Sequence, residues 1–534
     1  MNQNQNEQPE TTPRDPAALP LFTPDTAPQP RPGRVRSQFS MPLSTGRPGA
    51  PPAPTEQAAS GGAGSVAAGL AGVSGRGAHA HAGIDWALVA RLRAQASDRL
   101  SAALGGDRRA LDREAQQQLG RSIIVGLLET EAQEAVSAGR DPLPLGLQDR
   151  MARAVFDALF GLGRLQPLVD DEAVENIEID GCDNVLLEYA DGLLKPGPAV
   201  AESDGELTDF LVFVASRSQV NARPFSPAQP RLHLRLDGGA RLAATAWVTP
   251  RPAVVIRRHR LAAVTLDDLV AGGTITGLQA SFLRAAVRAK KSIVVAGAQG
   301  AGKTTTVRAL CSELDPWERV GTFETEYELG LHELRDPHTG GRRHRRAVAW
   351  EARPGSGEVG LNGRQAGEIT LDDLLTDSFR FNLSRQIVGE VRGREVLAMI
   401  KAMQSGSGSI STTHSANAQG AIRKLITCAM EAGAHVTEAY ATRAITEHID
   451  LMVQVHLQTT SLEGEARRDR WVSEIVSIEP GERETGYATQ HVFRAVPGGP
   501  GVANVLPEQL RDLERFGFDV HAFEAEAQMN GART

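Results

Sequence analysis

Residues 292–307 read SIVVAGAQGAGKTTTV, and the architecture follows from how that run is parsed. Within it, Gly297-Ala298-Gln299-Gly300-Ala301-Gly302-Lys303-Thr304 satisfies GxxxxGK[ST] at every fixed position. The residues before it, SIVVA at 292–296, read as an apolar strand, and 305–314 reads as a helix. Strand, glycine loop and helix thus follow in the order that the motif requires. Glycines let the backbone wrap around phosphate oxygens, while loop amides and the helix N-terminus supply partial positive charge. In such a loop Lys303 reaches the β/γ-phosphates and the Thr304 hydroxyl completes a Mg²⁺ shell. The expectation is a nucleoside triphosphate site, with ATP and Mg²⁺ held by Gly297, Gly300, Ala301, Gly302, Lys303, Thr304 and Thr305.

Three downstream groups bear on the chemistry. The run Gln386-Ile387-Val388-Gly389-Glu390 is an apolar strand ending in a carboxylate, expected beside the phosphate-loop strand. An acid there can orient an attacking water or, with Thr304, hold the metal partly through water. No aspartate stands at that strand end, so Glu390 is the local candidate. A second strand ends in Glu324-Thr325-Glu326-Tyr327-Glu328, and a third, Ser409-Ile410-Ser411-Thr412-Thr413-His414, ends in hydroxyls and a histidine. In an open α/β sheet, strand C-termini converge on the ligand crevice. A lone histidine is ordinarily a satisfied core residue, but the position of His414 also fits a site facing the terminal phosphate.

Outward from this centre the chain changes composition several times. Its 534 residues, 41% hydrophobic, suffice for two to four domains. Thirteen of the 30 prolines fall between Pro9 and Pro54, and small residues follow, so 1–82 is expected to be a disordered tail, either tether or inert linker. Residues 83–161 carry apolar positions at three- and four-residue steps and read as a helical bundle. Residues 162–260 hold short strands broken by Asp-Gly pairs at 180–181, 191–192 and 237–238, with one helix at about 208–220, and read as an α+β domain. From 261 to 457 strands and helices alternate with parallel-sheet character. The segment 458–534 has no evident role; 471–478 reads as a strand and 508–516 as an amphipathic helix.

Charge and cysteine usage exclude several classes. With 57 basic against 65 acidic residues the net charge is −8, which argues against a protein that grips nucleic acid by global electrostatics. The basic run Arg342-Arg343-His344-Arg345-Arg346 reads as a solvated loop rather than a binding patch. Cys182, Cys311 and Cys428 are scattered, so neither a disulfide scaffold nor a structural zinc site is indicated. The N-terminus lacks the basic-then-apolar order of a secretory leader, and no apolar run approaches the roughly 18 residues of a membrane span. A cytoplasmic chain with no transmembrane segment is expected.

Taken in order, these motifs resemble the traffic ATPases of type II and type IV secretion and pilus assembly. The branch they look most like is the CpaF-type ATPase of tight-adherence (Tad) pili. The resemblance spans about 161–455 and rests on GLGRLQPLVDDEAVENIEIDG (161–181), RLDGGARL (235–242), VVIRRH (254–259), EARP (351–354), GEITLDDLL (367–375), IVGEVRGREVL (387–397), GSISTTHSAN (408–417) and HIDLMVQV (448–455). It implies a P-loop, RecA-like α/β ATPase core preceded by a smaller α+β domain. It also implies a homo-hexamer that works against an inner-membrane platform protein, peripherally held at the inner face of the membrane. Within this resemblance Glu390 is the Walker B acid, Glu324 and Glu328 belong to an acidic box, and His414 senses the γ-phosphate. Arg235, Arg241 and Arg257 or Arg258 would approach the nucleotide from the α+β domain, and Arg380 and Arg392 match further arginines of the core. Thr325 stands where the family has an aspartate, and Leu383 and Ser384 replace a proline and an aspartate before the Glu390 strand. Two other readings stay open: a conjugation-type ATPase sharing this core, and a nucleotide-binding regulatory scaffold with negligible turnover.

Overall fold

A computed structural model of the protein describes residues 83–531 apart from the segments 106–111, 218–224, 259–262, 337–338, 354, 356–359, 361–363, 394, 407, 463–464 and 482–485. The tail at 1–82 lies outside the described residues.

Three helices come first: α1 (Trp86–Leu104), α2 (Arg113–Ser137) and α3 (Leu145–Phe160). Asp85 caps α1 by accepting from the amides of Ala87 and Leu88, and Asp112 caps α2 through the Ala115 amide. Val89, Leu92, Ala96 and Leu100 recur at three- and four-residue steps and form the buried stripe of α1. They meet Ile124, Leu127 and Leu128 of α2 and Met151, Ala154 and Val155 of α3. Burial of each large side chain there contributes about 1.5–3 kcal/mol. The Arg164 guanidinium lies 4.4 Å over the Trp86 ring and ties this bundle to the α+β domain.

After a short helix α4 (Gln166–Asp170) comes an antiparallel sheet with spatial order β4-β5-β6-β1-β2-β3. Its strands are β1 (Val174–Asp180), β2 (Val185–Tyr189), β3 (Leu193–Pro196), β4 (Arg231–Arg235), β5 (Arg241–Thr245) and β6 (Ala253–Arg257). The three Asp-Gly pairs stand at strand ends, and Gly181, Gly192 and Gly238 all have φ between 83° and 86°. Helix α5 (Asp204–Arg217) covers one face through Leu207, Leu211 and Ala215. It starts four residues before the sequence expectation because Ser203 caps it, accepting from the Glu206 amide at 3.1 Å.

The remaining chain builds a parallel sheet covered on both faces. Its elements are α6 (Leu266–Ala271), α7 (Gly277–Arg288), β7 (Ile293–Gly297), α8 (Lys303–Cys311), β8 (Val320–Glu324), β9 (Val348–Glu351), α9 (Leu371–Ser378), β10 (Arg385–Val391), α10 (Val396–Gln404), β11 (Ile410–His414), α11 (Ala418–Met430), α12 (Glu438–Thr446) and β12 (Leu451–Leu462). The spatial order is β12-β7-β11-β10-β8-β9, parallel throughout. Alternate residues of β7 serve opposite faces: Ile293 and Val295 pack with α6–α8, Val294 and Ala296 with α9–α12. This doubly covered α/β sheet around a phosphate loop is the expected fold class.

One expectation is overturned. The Glu390 strand is not beside the phosphate-loop strand, because β11 lies between β7 and β10. Hydroxyls in and just before β11 suit that place: Ser409 Oγ donates to Gln386 O at 2.7 Å, Thr412 Oγ1 to Gly389 O at 2.7 Å and Thr413 Oγ1 to Val391 O at 3.0 Å, so these three are satisfied by the β10 backbone. Below the site, buried Arg385 donates to Glu318 at 2.9 Å, Gly408 O at 2.8 Å and Val287 O at 3.1 Å, pinning the start of β10.

Strands β13 (Glu465–Pro480), β14 (Tyr487–Val496) and β15 (Gly499–Ala503) extend the sheet antiparallel from β12. A 3₁₀ segment (Glu508–Phe516) and helix α13 (Val520–Gly531) then bring Leu510, Leu513, Phe518 and Phe523 into the same core as Phe282. β13 also pairs with β3 through Ala466↔Leu194 and Arg467↔Leu193, so the two sheets are continuous. Among the described residues no helix is long and apolar enough to cross a membrane.

Candidate nucleotide site

The phosphate loop turns tightly between β7 and α8. Gly300 and Gly302 take φ of 75° and 91°, conformations that side chains with a Cβ rarely adopt. Lys303, 8% exposed, opens α8, and its Nζ lies 2.9 Å from Ala298 O, 3.3 Å from Gly297 O and 3.2 Å from His414 Nδ1. Burial pulls its ammonium down to about 8; Glu390 and Glu328 oppose that fall, while Arg257 and Lys424 add to it. Thr305 lies half-buried on the first turn of α8, and the Ala301 side chain is buried.

From Lys303 a continuous chain of contacts crosses the strand ends. With Nδ1 of His414 facing the ammonium, its Nε2 stands 2.5 Å from Glu390 Oε1, and the other carboxylate oxygen takes Arg392 Nη2 at 2.6 Å. An ammonium has only protons to give, so Nδ1 accepts and the Nε2–H tautomer faces Glu390. Burial pushes the Glu390 carboxyl up, but the bonds from His414 and Arg392 outweigh it and hold the group at about 2. Glu390 is therefore an ionised acceptor at neutral pH.

Glu324 is its counterpart. It is 2% exposed at the end of β8, and its Oε1 accepts from the amides of Glu328 and Leu329 at 2.8 Å each. Its Oε2 is buried with no hydrogen-bond partner among the described residues. Gly389 allows this packing, since a Cβ there would meet Glu324 Cγ at 2.9 Å. Burial outweighs the two amides and pushes the Glu324 carboxyl up to about 7. Two acids whose environments drive them apart in this way suit different proton tasks.

That shift has a measurable consequence. An acid raised on folding holds its proton more tightly in the native state, so stability is greatest below the unfolded value of 4.5 and falls as pH rises towards about 7. The loss amounts to about 3.5 kcal/mol at most, at about 1.4 kcal/mol per unit. Glu324→Gln removes it, so the variant gains on wild type between pH 5 and pH 8 in thermal melts. An equal gap at both pH values would contradict the assignment.

The acidic segment also meets the α+β domain. Arg241 Nη1 lies 2.5 Å from Glu328 Oε1 and 3.1 Å from Glu326 Oε2, and its Nη2 donates to Tyr327 O at 2.7 Å. Thr304 Oγ1 donates to the other oxygen of Glu328 at 3.0 Å, so the hydroxyl expected to serve a metal sits against Glu328, whereas Glu390 is engaged by His414 and Arg392. Arg235 stands 6.0 Å from the Tyr327 ring centroid. Arg257 lies near enough for its charge to depress Lys303. Arg258 turns away and donates to the Val174 and Asp171 carbonyls. Arg380 is exposed beside Asp377, with no described contact to the loop. Of the departures, Thr325 is exposed, Ser384 joins the starts of β8 and β10 through Arg319, and Leu383, half-buried, packs against the core. In the basic run, Arg345 lies over the Trp317 ring at 4.7 Å and His344 is buried.

The donor set fits a nucleoside triphosphate with Mg²⁺. A glycine cradle, a buried ammonium, a hydroxyl and adjacent carboxylates are the hard oxygen and cationic groups that phosphates and Mg²⁺ take. Sequence reading missed Lys424, whose Nζ donates to His414 O at 3.0 Å, and Arg470 of β13, whose Nε donates to Gly300 O at 2.9 Å. For Arg470 the signal was the alternation of Arg468 and Arg470 just ahead of the strand expected at 471–478.

The conjugal transfer protein TrbB of Rhizobium radiobacter is 29% identical over 244 residues, 45% of this chain and 64% of that one. The type IV secretion system protein PtlH of Bordetella pertussis is 36% identical over 177 residues, 33% of this chain and 48% of that one. The matched region thus spans less than two thirds of either relative. Among solved structures, the VirB11 ATPase from the Brucella suis type IV secretion system in complex with sulphate aligns at 22% identity and a TM-score of 0.28, over 58% of this chain and 95% of that one. The family described as type II/IV secretion system protein matches residues 193–469, just over half of the sequence, and the chain belongs to that family.

Proposed function

We propose that this chain is a Mg²⁺-dependent ATPase whose hydrolysis drives a homo-hexameric motor. The observation that carries the proposal is the unbroken contact chain Lys303–His414–Glu390 across the ends of β7, β11 and β10. Lys303, Thr304 and the loop amides bind and orient the phosphates. Mg²⁺, bound beside Thr304, would neutralise charge on the phosphates during transfer. Glu390, ionised and acceptor-only, orients the attacking water by hydrogen bonding, since a carboxylate held at about 2 takes protons poorly. Glu324, poised at about 7, is the nearby group able to take up a proton. Arg241 and Arg257 close the site from the α+β domain, and reopening on product release supplies the stroke.

The motor is proposed to act at the cytoplasmic face of the inner membrane, on a platform protein that assembles pilin or exports protein, as in the tight-adherence branch that the motifs resemble. A second reading, a conjugation-type transfer ATPase, is favoured by the relative named as a conjugal transfer protein. Adjacent pilin and prepilin-peptidase genes would support the first, relaxase and coupling-protein genes the second.

Steady-state ATP hydrolysis by the full chain, with mass from light scattering, tests the core of the proposal. Turnover from a species near six copies of the 57.0 kDa chain is the expected result. Tight ATP binding by a monomer without turnover, even with the membrane platform added, would overturn it in favour of a regulatory scaffold.

A further inference from the structure

We propose that Arg470 is a positioning residue for the phosphate loop, and that its cluster with Glu188 and Arg468 ties the loop to the α+β domain. The inference rests on the nucleotide reading of the loop and extends it to residues outside the motif.

β13 runs alongside β12 past the end of β7, and its register places Arg470 opposite Leu457, next to the loop. The Arg470 side chain follows the outer surface of the loop; a Cβ on Gly302 would lie 3.5 Å from Arg470 Cδ. Its Nε donates to Gly300 O at 2.9 Å, and its Nη2 donates to Glu188 Oε1. Glu188 sits on β2 of the α+β domain and is 1% exposed. The other oxygen of Glu188 accepts from Arg468 Nη1 at 2.6 Å and Asn176 Nδ2 at 2.8 Å. Arg468 also reaches Glu178 at 3.3 Å. Strand alternation puts Arg468 and Arg470 on one face, while Arg467 and Asp469 pair with each other at 3.0 Å on the other.

Two physical arguments give this arrangement a role. A loop that aims its amides at a phosphate turns carbonyls outward, and an outward carbonyl held by a charged donor fixes the peptide plane that presents the next amide. Here that amide belongs to Ala301, which in this structure donates within the loop to Ala298 O at 3.3 Å. A planar guanidinium can span a carbonyl and a carboxylate at once, which a lysine ammonium does less well. In turn, a buried carboxylate such as Glu188 requires its cations, so a displacement of the α+β domain must pull on Arg470 or break the cluster. The backbone ladder between β3 and β13 is two residue pairs long, so this cluster is a substantial part of the polar link on that side. Arg241 acts on the acidic segment; Arg470 acts on the loop itself.

The test compares full-length wild type, Arg470→Ala, Arg470→Lys, Glu188→Gln and, as a site control, Lys303→Ala. Read-outs are equilibrium binding of fluorescent ADP, kcat and KM for ATP, and thermal melts. Arg470→Ala is expected to raise Kd and KM roughly tenfold, the effect of losing one charge-assisted bond, with kcat at saturation within about threefold. Arg470→Lys should recover part of the affinity. Glu188→Gln should shift Kd in the same direction by about threefold, although it does not touch the loop. If Arg470→Ala does not fold, the lysine variant and Glu188→Gln carry the same comparison. Unchanged Kd and KM in folded Arg470 variants, with only a lower melting temperature, would overturn the proposal. Absence of ADP binding by wild type would instead overturn the nucleotide reading, and this proposal with it.

Discussion

Glu390→Gln is expected to lower kcat for ATP hydrolysis by about 10²–10⁴-fold while leaving nucleotide affinity within about threefold of wild type. The carboxylate is ionised because His414 and Arg392 hold it so, and both of its oxygens face donors. Glutamine keeps the shape but exchanges one acceptor oxygen for a donor. The water needs an acceptor, so the loss falls on the chemical step. Phosphate binding depends on Lys303, Thr304 and the loop amides, none of which changes identity. Single-turnover hydrolysis beside equilibrium ATP binding separates the two. Wild-type turnover in Glu390→Gln would remove Glu390 from the mechanism, and an equal loss of binding would make it a structural residue.

Lys303→Ala is expected to weaken ATP and ADP binding by about 100-fold or more, measured by calorimetry. Its ammonium is buried, so it meets a phosphate in a medium of low dielectric, where each charge-assisted bond is stronger than in water. Removal also strips a donor from the carbonyls of Gly297 and Ala298 and from His414 Nδ1, loosening the tautomer that faces Glu390. Activity should therefore fall even at saturating nucleotide. An affinity within threefold of wild type would show that the loop does not carry the phosphates.

Much of this was legible in the sequence because it is local. Strand, loop and helix at 292–311 follow from spacing, and the Asp-Gly turns of the α+β domain follow from one dipeptide each. What could not be read is non-local. Nothing in the period of β10 or β11 says which lies beside β7, because both are buried along nearly their whole length, β10 through Ile387, Val388 and Val391 and β11 through Ile410, Ser411, Thr412 and Thr413. The fate of Arg257 and Arg258, adjacent in sequence, is split by strand alternation: one charge is felt at Lys303, the other guanidinium binds backbone carbonyls. Arg380 matches a motif yet stands in solvent beside Asp377. Arg470 is 170 residues from the glycine it holds, a distance over which no pattern rule reaches.

The separation between Glu188 and Arg470 is 282 residues, and it has a consequence for biosynthesis. At about 5–20 residues per second, a ribosome needs roughly 15–60 s to travel from one to the other. For most of that interval, once β6 is complete at Arg257, the strands of the α+β domain are all made, but the carboxylate destined for its interior lacks both arginines. Closing β2 over an unpaired charge costs several kcal/mol, so that surface stays open until β13 leaves the exit tunnel. The last sheet to be synthesised thus completes the first, and a chain released before Arg468 is made leaves the nascent domain with an unfinished face for chaperones and proteases to find.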